Sequence, residues 1–251
     1  MSLPPLAPAE TVALFLDFDG TLVEIVEHPD LVAIDGRTKE ALSTVSGCLS
    51  SALAIVTGRE IEVIDKFLAP LKLPVAGIHG LMRRDAAGHI PQPPEKLAHF
   101  VDKVAERLKP FSQSEAGLVL EIKASSVALH YRARPELERL CLEVCEAAIV
   151  DFSDVELKRG KMVFEIKPDI ANKGTAILDY MKEAPFMGRT PWFAGDDVTD
   201  EDAFKVVNDL GGVTIKVGPG DTVAKYRASD TAEFVKWLAE AADKLGSKER
   251  T

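Results

Sequence analysis

The stretch Asp17-Phe18-Asp19-Gly20-Thr21 directly follows the apolar run from Val12 to Leu16. The run predicts a buried strand, and two carboxylates at its C-terminal end would face the crevice in which open α/β sheets bind ligands. Gly20 lets the backbone turn tightly and approach a ligand closely. Because neighbouring carboxylates repel each other unless a cation or a proton separates them, the stretch predicts a Mg²⁺ site. The alternative is a solvated turn after a strand.

A second acidic cluster follows the apolar run 192–194. The chain continues there with Gly195 and then with acidic residues that include Asp196, Asp197 and Asp200. The remaining polar residues of this stretch fit the cap and first turn of a helix. Asp196 fits that interpretation less well because it directly follows the strand and the glycine. Two acidic loops at strand ends can meet at one edge of a sheet and form a metal site.

Two further segments can supply a phosphate site. Thr57-Gly58-Arg59 ends the apolar run 52–56, and a hydroxyl and backbone amides at a strand-to-helix turn can hold phosphate oxygens. Asn172-Lys173-Gly174-Thr175 opens a helical pattern, and a lysine there can offset the charge of phosphate and carboxylates together. Each segment taken alone fits an ordinary turn equally well.

Composition limits the classes of protein to which the chain can belong. Its 251 residues suffice for one large domain or two modest ones, and a hydrophobic content of 46% supports a substantial core. A net charge of −10 argues against a nucleic-acid partner or an anionic membrane surface. It also requires that an anionic substrate find a locally positive site.

The lack of recognisable targeting signals and the small number of cysteines predict a cytoplasmic protein. No apolar run approaches the ~20 residues of a membrane span, and the first ten residues lack the pattern of a secretory signal. Three cysteines are too few for a disulfide framework and fit a reducing compartment. Cys141 and Cys145 are better explained as packing residues on a helix than as half of a metal site. We expect a monomer.

The first third of the chain alternates between strand and helix patterns. Strands are predicted at 12–16, 52–56 and 75–78, with helices between them at 38–49 and 60–68. This βαβ order predicts a parallel sheet with right-handed crossovers. The same pattern returns late in the chain, with strands at 192–194 and 213–217.

The middle of the chain follows a different order. A helix and two strands are predicted at 95–108, 118–122 and 127–131, and the same order repeats at 136–149, 155–158 and 162–166, with a hairpin turn at 158–161. This repeat predicts a small antiparallel sheet covered by helices. We therefore predict an α/β core domain of residues 1–84 and 169–251, interrupted by an inserted α+β cap domain of residues 85–168.

The four motifs, in this order, resemble those of the haloacid dehalogenase superfamily of phosphotransferases. Three segments between them are similar to the trehalose-6-phosphate phosphatases within that superfamily, namely Leu120-Glu121-Ile122-Lys123, Ala128-Leu129-His130-Tyr131-Arg132 and Phe164-Glu165-Ile166-Lys167-Pro168. The resemblance spans nearly the whole chain. It implies a Rossmann-like core with a parallel sheet and a cap that determines which substrate is accepted.

The resemblance also implies Mg²⁺-dependent hydrolysis of trehalose 6-phosphate through an aspartyl-phosphate on Asp17. Asp19 would serve as the general acid and then as the base that activates water. Lys173 would keep Asp17 ionised and would hold the phosphate together with Gly20, Thr21, Thr57, Gly58 and Arg59. The metal ligands would be Asp17, the backbone carbonyl of Asp19, and Asp196, with Asp197 and Asp200 as supporting or alternative ligands. For Arg59, contact with substrate and bracing of its helix are equally open.

In the cap, the resemblance favours sugar contacts for Glu121, Lys123 and Glu165. Glu121 and Lys123 are two residues apart and so face the same side of a strand. The alternative is a cross-strand salt bridge on a solvated face, and for His130 we favour a structural role. Two rival functions remain: a phosphatase with the same cap type that acts on another sugar phosphate such as sucrose 6-phosphate, and a non-catalytic sugar-phosphate sensor or regulatory subunit.

Overall fold

The structure, a computed structural model, describes residues 3–6, 8–26, 32–91, 95–123, 125–168 and 171–248. In chain order its elements are β1 (Val12–Leu16), α1 (Gly36–Cys48), β2 (Leu53–Val56), α2 (Ile61–Leu68), β3 (Val75–Gly77), β4 (Met82–Arg84), α3 (Glu95–Ser114), β5 (Val119–Ile122), β6 (Val127–His130), α4 (Glu138–Ala148), β7 (Val155–Gly160), β8 (Val163–Pro168), α5 (Lys173–Tyr180), β9 (Thr190–Gly195), α6 (Glu201–Asp209), β10 (Val213–Val217), β11 (Tyr226–Ala228) and α7 (Thr231–Lys248).

The chain divides into two units, one formed by Met1–Pro91 with Asn172–Thr251 and the other by Gln92–Ala171. The first division falls after residue 91, whereas the sequence pattern placed it at 85. After β4 the chain forms a local turn in which Asp85 accepts hydrogen bonds from the amides of Ala87 and His89, at 2.9 and 2.8 Å. Among the described residues, no helix has the length and apolar character needed to cross a membrane.

Strand β1 lies at the centre of a seven-stranded sheet with the order β11-β10-β9-β1-β2-β3-β4. All five of its residues are buried, and it pairs in parallel with β2 on one side and with β9 on the other. The chain moves outward from β1 in one direction and from β9 in the other. Strand order therefore reverses between β1 and β9, and such a reversal is where open α/β sheets bind ligands. The predicted α/β class is confirmed.

Helices pack on this sheet, and their apolar side chains form one core together with those of the strands. Helix α1 packs against α7, and α5 packs against α6. Phe15 of β1 stacks on Phe186 with ring centroids 5.3 Å apart, and Tyr180 of α5 lies 4.9 Å from Phe186. Burial of each large apolar side chain contributes about 1.5–3 kcal/mol. This core supports the C-terminal ends of β1 and β9, where the acidic motifs begin.

The sheet is not wholly parallel, because the edge strand β4 runs antiparallel to β3. A tight turn at Ile78–Gly80 reverses the chain, with φ values of 51°, 55° and 102°. The sequence patterns predict neither this strand nor β11. Both strands have only three residues, which is too short for a hydrophobic period, and Ile78 and His79 rarely adopt positive φ.

The second unit contains a four-stranded antiparallel sheet with the order β5-β6-β8-β7. Leu129, Phe164 and Ile166 are buried on one face, and α3 and α4 pack against these strands. The register aligns Glu121, Ala128, Glu165 and Lys158 in one row across the other face. The predicted helix-strand-strand repeat is thus present in this unit.

Two predicted element boundaries in this unit are wrong. Helix α3 ends at Ser114 instead of at 108. Pro110 lies inside it and removes one backbone hydrogen bond, but the helix continues past this residue. The hairpin turn lies at Lys161 and Met162, not at 158–161, since Gly160 still pairs with Val163. Met162 takes the left-handed conformation that such a short turn requires, with φ of 62°.

Candidate active site

The carboxylate of Asp17 is buried directly after β1 and forms an ion pair with Lys173. The Nζ of Lys173 lies 2.7 Å from Asp17 Oδ1. Lys173 is the first residue of α5, and Asn172 caps this helix by accepting a hydrogen bond from the amide of Thr175 at 2.9 Å. The capped start of the helix therefore delivers a buried ammonium group to the first acidic motif.

The buried carboxylate of Asp200 organises the second acidic loop. Its Oδ1 accepts a hydrogen bond from Lys173 Nζ at 2.7 Å. Its Oδ2 accepts hydrogen bonds from the amides of Asp196 and Asp197, at 3.0 and 2.9 Å. A Cβ on Gly195 would lie only 2.3 Å from Asp200 Cγ, so glycine is what admits this carboxylate. Asp200 thus both holds Lys173 and shapes the loop that carries Asp196.

Asp17, Asp196 and Asp200 form an acidic cluster. Each contributes an oxygen that lies within 4.8 Å of the other two. Burial raises the pKa of Asp17 well above its usual range; Lys173 opposes this rise and Asp200 adds to it. Burial and the neighbouring Asp200 likewise raise the pKa of Asp196. Burial is the largest cause of both shifts, and the three carboxylates also repel one another. Clustered acidic oxygen donors of this kind suit Mg²⁺.

Lys173 remains an ammonium group in this cluster. Burial opposes its charged form, but the attraction of Asp17 and Asp200 outweighs that penalty and raises the pKa of Lys173 above its ordinary value. A single fixed cation facing three carboxylates leaves room for a second, divalent one.

The side chains of Asp197 and Asp19 have other partners, and for Asp19 the predicted metal ligand is the backbone carbonyl. The side chain of Asp197 is exposed and accepts a hydrogen bond from the amide of Val198 at 2.6 Å, which caps the short turn Val198–Asp200. The carboxylate of Asp19 faces Arg59, which donates from Nε to Oδ2 and from Nη2 to Oδ1, each at 2.7 Å. The sequence leaves open whether Arg59 contacts substrate or braces its helix, and in the structure its guanidinium pairs with Asp19.

The predicted phosphate residues lie at the ends of β1 and β2. Thr57 is buried, and its Oγ1 accepts a hydrogen bond from the amide of Arg59 at 3.2 Å. Thr21 is also buried, and its hydroxyl has no hydrogen-bond partner within the described part of the chain. Because buried hydroxyls are almost always paired, the hydroxyl of Thr21 is suited to meet a ligand oxygen.

The turn Ile78–Gly80 packs against the loop Thr57–Arg59 and is hydrogen-bonded to its main chain. The amide of His79 donates to the carbonyl of Thr57 at 2.9 Å, and the amide of Ile78 donates to the carbonyl of Arg59 at 3.0 Å. A Cβ on Gly58 would lie 2.8 Å from Nε2 of His79, so the glycine allows the imidazole to pack against the loop. Positive φ at two consecutive non-glycine residues marks a strained support of the kind found near functional sites.

Lys216 is a site residue that the sequence analysis missed. Its side chain is buried on β10, and its Nζ donates to the carbonyl oxygen of Asp196 and, at 3.2 Å, to that of Val217. A lone lysine inside the apolar strand Val213–Val217 was the available signal. Thr231 was missed as well, and its hydroxyl donates to the carbonyl of Gly20 at 2.8 Å.

The predicted cap residues lie on the polar face of the second sheet. Lys123 Nζ donates to Glu165 Oε1 at 2.9 Å, and the hydroxyl of Ser126 donates to the same oxygen at 2.8 Å. His130 pairs with Glu121, with Nε2 and Oε2 2.8 Å apart. Glu121, Lys123, His130 and Glu165 are at least partly exposed. Ser126 is buried beside them. This face therefore presents several charged hydrogen-bonding groups.

Comparison with known proteins identifies the family. The family profile described as Trehalose-phosphatase matches residues 15–233. The chain belongs to this trehalose-phosphatase family. It is therefore an enzyme of the phosphatase type, and the motifs that carry the family resemblance include every member of the acidic cluster.

Individual relatives agree with this membership. The chain is 39% identical over 228 residues to a trehalose-6-phosphate phosphatase of Escherichia coli (strain K12), a match that covers 90% of this chain and 85% of the relative. A probable trehalose-phosphate phosphatase of Sinorhizobium fredii is 41% identical over 208 residues, covering 82% of this chain and 78% of the relative. A solved structure of a trehalose-6-phosphate phosphatase related protein is 32% identical, with a TM-score of 0.68 over 95% of this chain and 100% of that one.

Proposed function

We propose that this chain hydrolyses trehalose 6-phosphate to trehalose and inorganic phosphate. The observation that carries the proposal is the buried Lys173, which bridges Asp17 and Asp200 beside Asp196 where strand order reverses. Such a site holds a nucleophilic carboxylate against a fixed positive charge. Family membership and the names of the relatives support the choice of sugar.

In the first step, the carboxylate of Asp17 attacks the phosphorus atom. The Asp17 oxygen that is not bonded to Lys173 forms the new bond, and the bond between phosphorus and the sugar oxygen breaks. Asp19 gives its proton to that sugar oxygen, so trehalose leaves as a neutral alcohol. Protonation of a poor leaving group typically contributes ~10²–10⁴-fold to the rate.

In the second step, the aspartyl-phosphate on Asp17 is hydrolysed. Asp19, now ionised, takes a proton from water while the water oxygen attacks phosphorus. The bond from phosphorus to Asp17 breaks, which releases phosphate, restores the Asp17 carboxylate and leaves Asp19 protonated for the next turnover. Thr21, Thr57 and Lys173 would stabilise the phosphoryl oxygens in both steps, because hydrogen-bond donors aimed at developing charge need no reorganisation.

The acidic cluster would hold Mg²⁺. Asp17 and Asp196 are the first candidates for its ligands, since both oxygens of Asp200 already accept hydrogen bonds. When bound, the ion neutralises negative charge on the phosphate and the carboxylates. This chain's own residues then divide the work: Lys173 favours the ionised form of Asp17, and Asp200 keeps Lys173 and the loop in place.

The polar face of the second unit would recognise the sugar. A disaccharide presents many hydroxyls, and these pair well with carboxylates and ammonium groups. Glu121, Lys123 and Glu165 supply both kinds of group on one face. Lys123 pairs with Glu165 and Glu121 pairs with His130, so contacts within the sheet orient these groups in the absence of sugar.

Asp17→Asn tests the proposal, because asparagine keeps the shape of the side chain but lacks the charge needed for attack. Phosphate release should be measured across a panel of sugar phosphates, with and without Mg²⁺. We expect turnover of trehalose 6-phosphate by the wild-type chain only with the metal, and none by Asp17→Asn. Asp179→Asn makes the same chemical change at an exposed site on α5 and should keep full activity.

Two outcomes would contradict the proposal. Near wild-type turnover by folded Asp17→Asn would exclude the covalent mechanism. Binding of trehalose 6-phosphate without any turnover by the wild-type chain would favour the sensor or regulatory function, and preference for another sugar phosphate would replace the substrate.

A further inference from the structure

Arg59 holds the carboxylate of Asp19 through two parallel hydrogen bonds. Nε donates to Oδ2 and Nη2 donates to Oδ1, with both distances at 2.7 Å. A bidentate pair of this kind fixes the plane of the carboxylate as well as its position. Asp19 is the proposed general acid, so the orientation of its oxygens decides whether a proton reaches the leaving oxygen.

The guanidinium group of Arg59 is itself held by two aromatic rings. Its central carbon lies 5.1 Å from the ring centroid of Phe67 and 5.9 Å from that of Phe18. The two rings stack on each other at 5.5 Å. Phe18 is fully buried and stands between the two catalytic carboxylates in the sequence, and Phe67 lies on α2. Cation–π contacts of this geometry hold a guanidinium in place without any substrate.

The backbone of Arg59 is anchored as well. Its amide donates to Thr57 Oγ1 at 3.2 Å, and its carbonyl accepts a hydrogen bond from the amide of Ile78 at 3.0 Å. Side chain and main chain are therefore both constrained by groups that belong to the protein. The bidentate pair uses Nε and Nη2, and the two rings contact the guanidinium, so Asp19 and the rings together set the orientation of this side chain.

We propose that Arg59 is a positioning residue, which orients Asp19 for proton transfer to the leaving oxygen, and that it does not bind the phosphate. This inference rests on the proposed function, because it assigns a role within that reaction. It predicts that loss of Arg59 penalises esters according to how much their leaving group needs a proton. Loss of a phosphate-binding arginine would instead penalise all phosphate esters alike.

Phenyl phosphate and p-nitrophenyl phosphate form the matched pair of substrates. They are similar in shape and lack sugar hydroxyls, so contacts to the cap sheet do not enter the comparison. Phenol, whose pKa is about 10 as for tyrosine, leaves poorly without a proton. The nitro group stabilises the phenolate, so p-nitrophenol leaves well without one. The variants are Arg59→Met and Arg59→Lys, with Asp19→Asn as the reference for loss of the general acid.

We expect Arg59→Met to lower kcat/KM for phenyl phosphate at least about 10-fold more than for p-nitrophenyl phosphate, a part of the ~10²–10⁴-fold that general acids supply. Inhibition by inorganic phosphate should stay within about 3-fold of wild type. Arg59→Lys should show the same pattern, since an ammonium group cannot form the bidentate pair. Combining Arg59→Met with Asp19→Asn should cause little further loss beyond Asp19→Asn alone, because the two residues act as a unit.

Three results would overturn the assignment. Equal losses on both aryl esters, together with weaker inhibition by phosphate, would make Arg59 a phosphate ligand, and rescue by Arg59→Lys would point the same way. Unchanged kinetics in Arg59→Met would remove any role. If Arg59→Met does not fold, Arg59→Lys and Phe67→Leu decide the question by the same ratio of substrates. A wild-type chain that hydrolyses no phosphate ester would instead overturn the proposed function, and this inference with it.

Discussion

Comparing Gly20→Ala with a matched control should distinguish the effect of the position of Asp196 on activity from the effect of fold stability. Gly20 has φ of +75°, and a Cβ added there would lie 2.0 Å from Oδ2 of Asp196. Real Cβ atoms do not approach other heavy atoms closer than 3.0 Å, so the carboxylate must move by about 1 Å. Gly211 provides the matched control, because its φ is +73° and no atom lies within 4 Å of an added Cβ.

The magnitudes of the two effects differ. A left-handed conformation costs an alanine about 1–2 kcal/mol, which lowers the Tm of a chain of this size by roughly 2–8 °C. Both variants should lose this much stability because they share the same backbone conformation. Only Gly20→Ala displaces a member of the acidic cluster, and a shift of about 1 Å at an active site can lower the rate ~10²-fold.

The assay combines thermal unfolding with phosphate release at a series of Mg²⁺ concentrations. We expect similar Tm values for Gly20→Ala and Gly211→Ala, but a loss of ~10²-fold in kcat/KM and a higher Mg²⁺ requirement only for Gly20→Ala. Full activity of Gly20→Ala at the wild-type Mg²⁺ requirement would refute the reasoning, because it would mean that the position of Asp196 does not matter. Equal loss of activity in Gly211→Ala would attribute the effect to stability.

Three further predictions concern other parts of the molecule. Removing one charged group of the cap sheet should lower kcat/KM for trehalose 6-phosphate by roughly 10–150-fold, the equivalent of about 1.5–3 kcal/mol, and spare p-nitrophenyl phosphate. The variants are Glu121→Gln, Lys123→Met and Glu165→Gln. The control is Glu156→Gln, because Glu156 pairs with Lys167 in the same sheet. Equal losses on both substrates would contradict the sugar contacts. Lys216→Met should raise the Mg²⁺ concentration for half-maximal activity roughly 10-fold by releasing the main chain of Asp196, whereas Lys225→Met, which removes a comparable bond to the carbonyl of Gly212, should not. Hydrogen bonds from Arg84 lower the pKa of Asp65 despite its partial burial. The stability that Asp65 contributes is therefore present above its unfolded pKa of about 3.9 and is lost as pH falls through the lower folded value. The difference in free energy of urea unfolding between wild type and Asp65→Asn should shrink between about pH 5 and pH 2, and a constant difference would show that the ion pair is not the cause of the stability.

Local sequence determined where the chemistry lies along the chain. Apolar runs such as Val12 to Leu16 favour buried strands because they are short, apolar on both faces and followed by polar turn residues. Carboxylates placed directly after such runs emerge at the sheet edge, and for this reason Asp17 and Asp196 could be named without coordinates, whereas Lys173 was named from the start of a helical pattern. The helix cap at Asn172 is also a local signal, since its side chain bonds an amide three residues away.

Tertiary structure alone decided which partner each side chain takes. The family resemblance implies that Asp200 is a supporting or alternative metal ligand. In the structure it bonds Lys173 and two loop amides, and only a glycine at position 195 leaves space for it. Arg59 pairs with Asp19, which lies on another loop, and Lys216 reaches the carbonyl of Asp196 from another strand. These contacts join residues from separate strands and loops, so no hydrophobic period or spacing within one segment encodes them. They depend on the order of strands in the sheet and on the space left by small side chains, and both are settled only when the whole chain has folded.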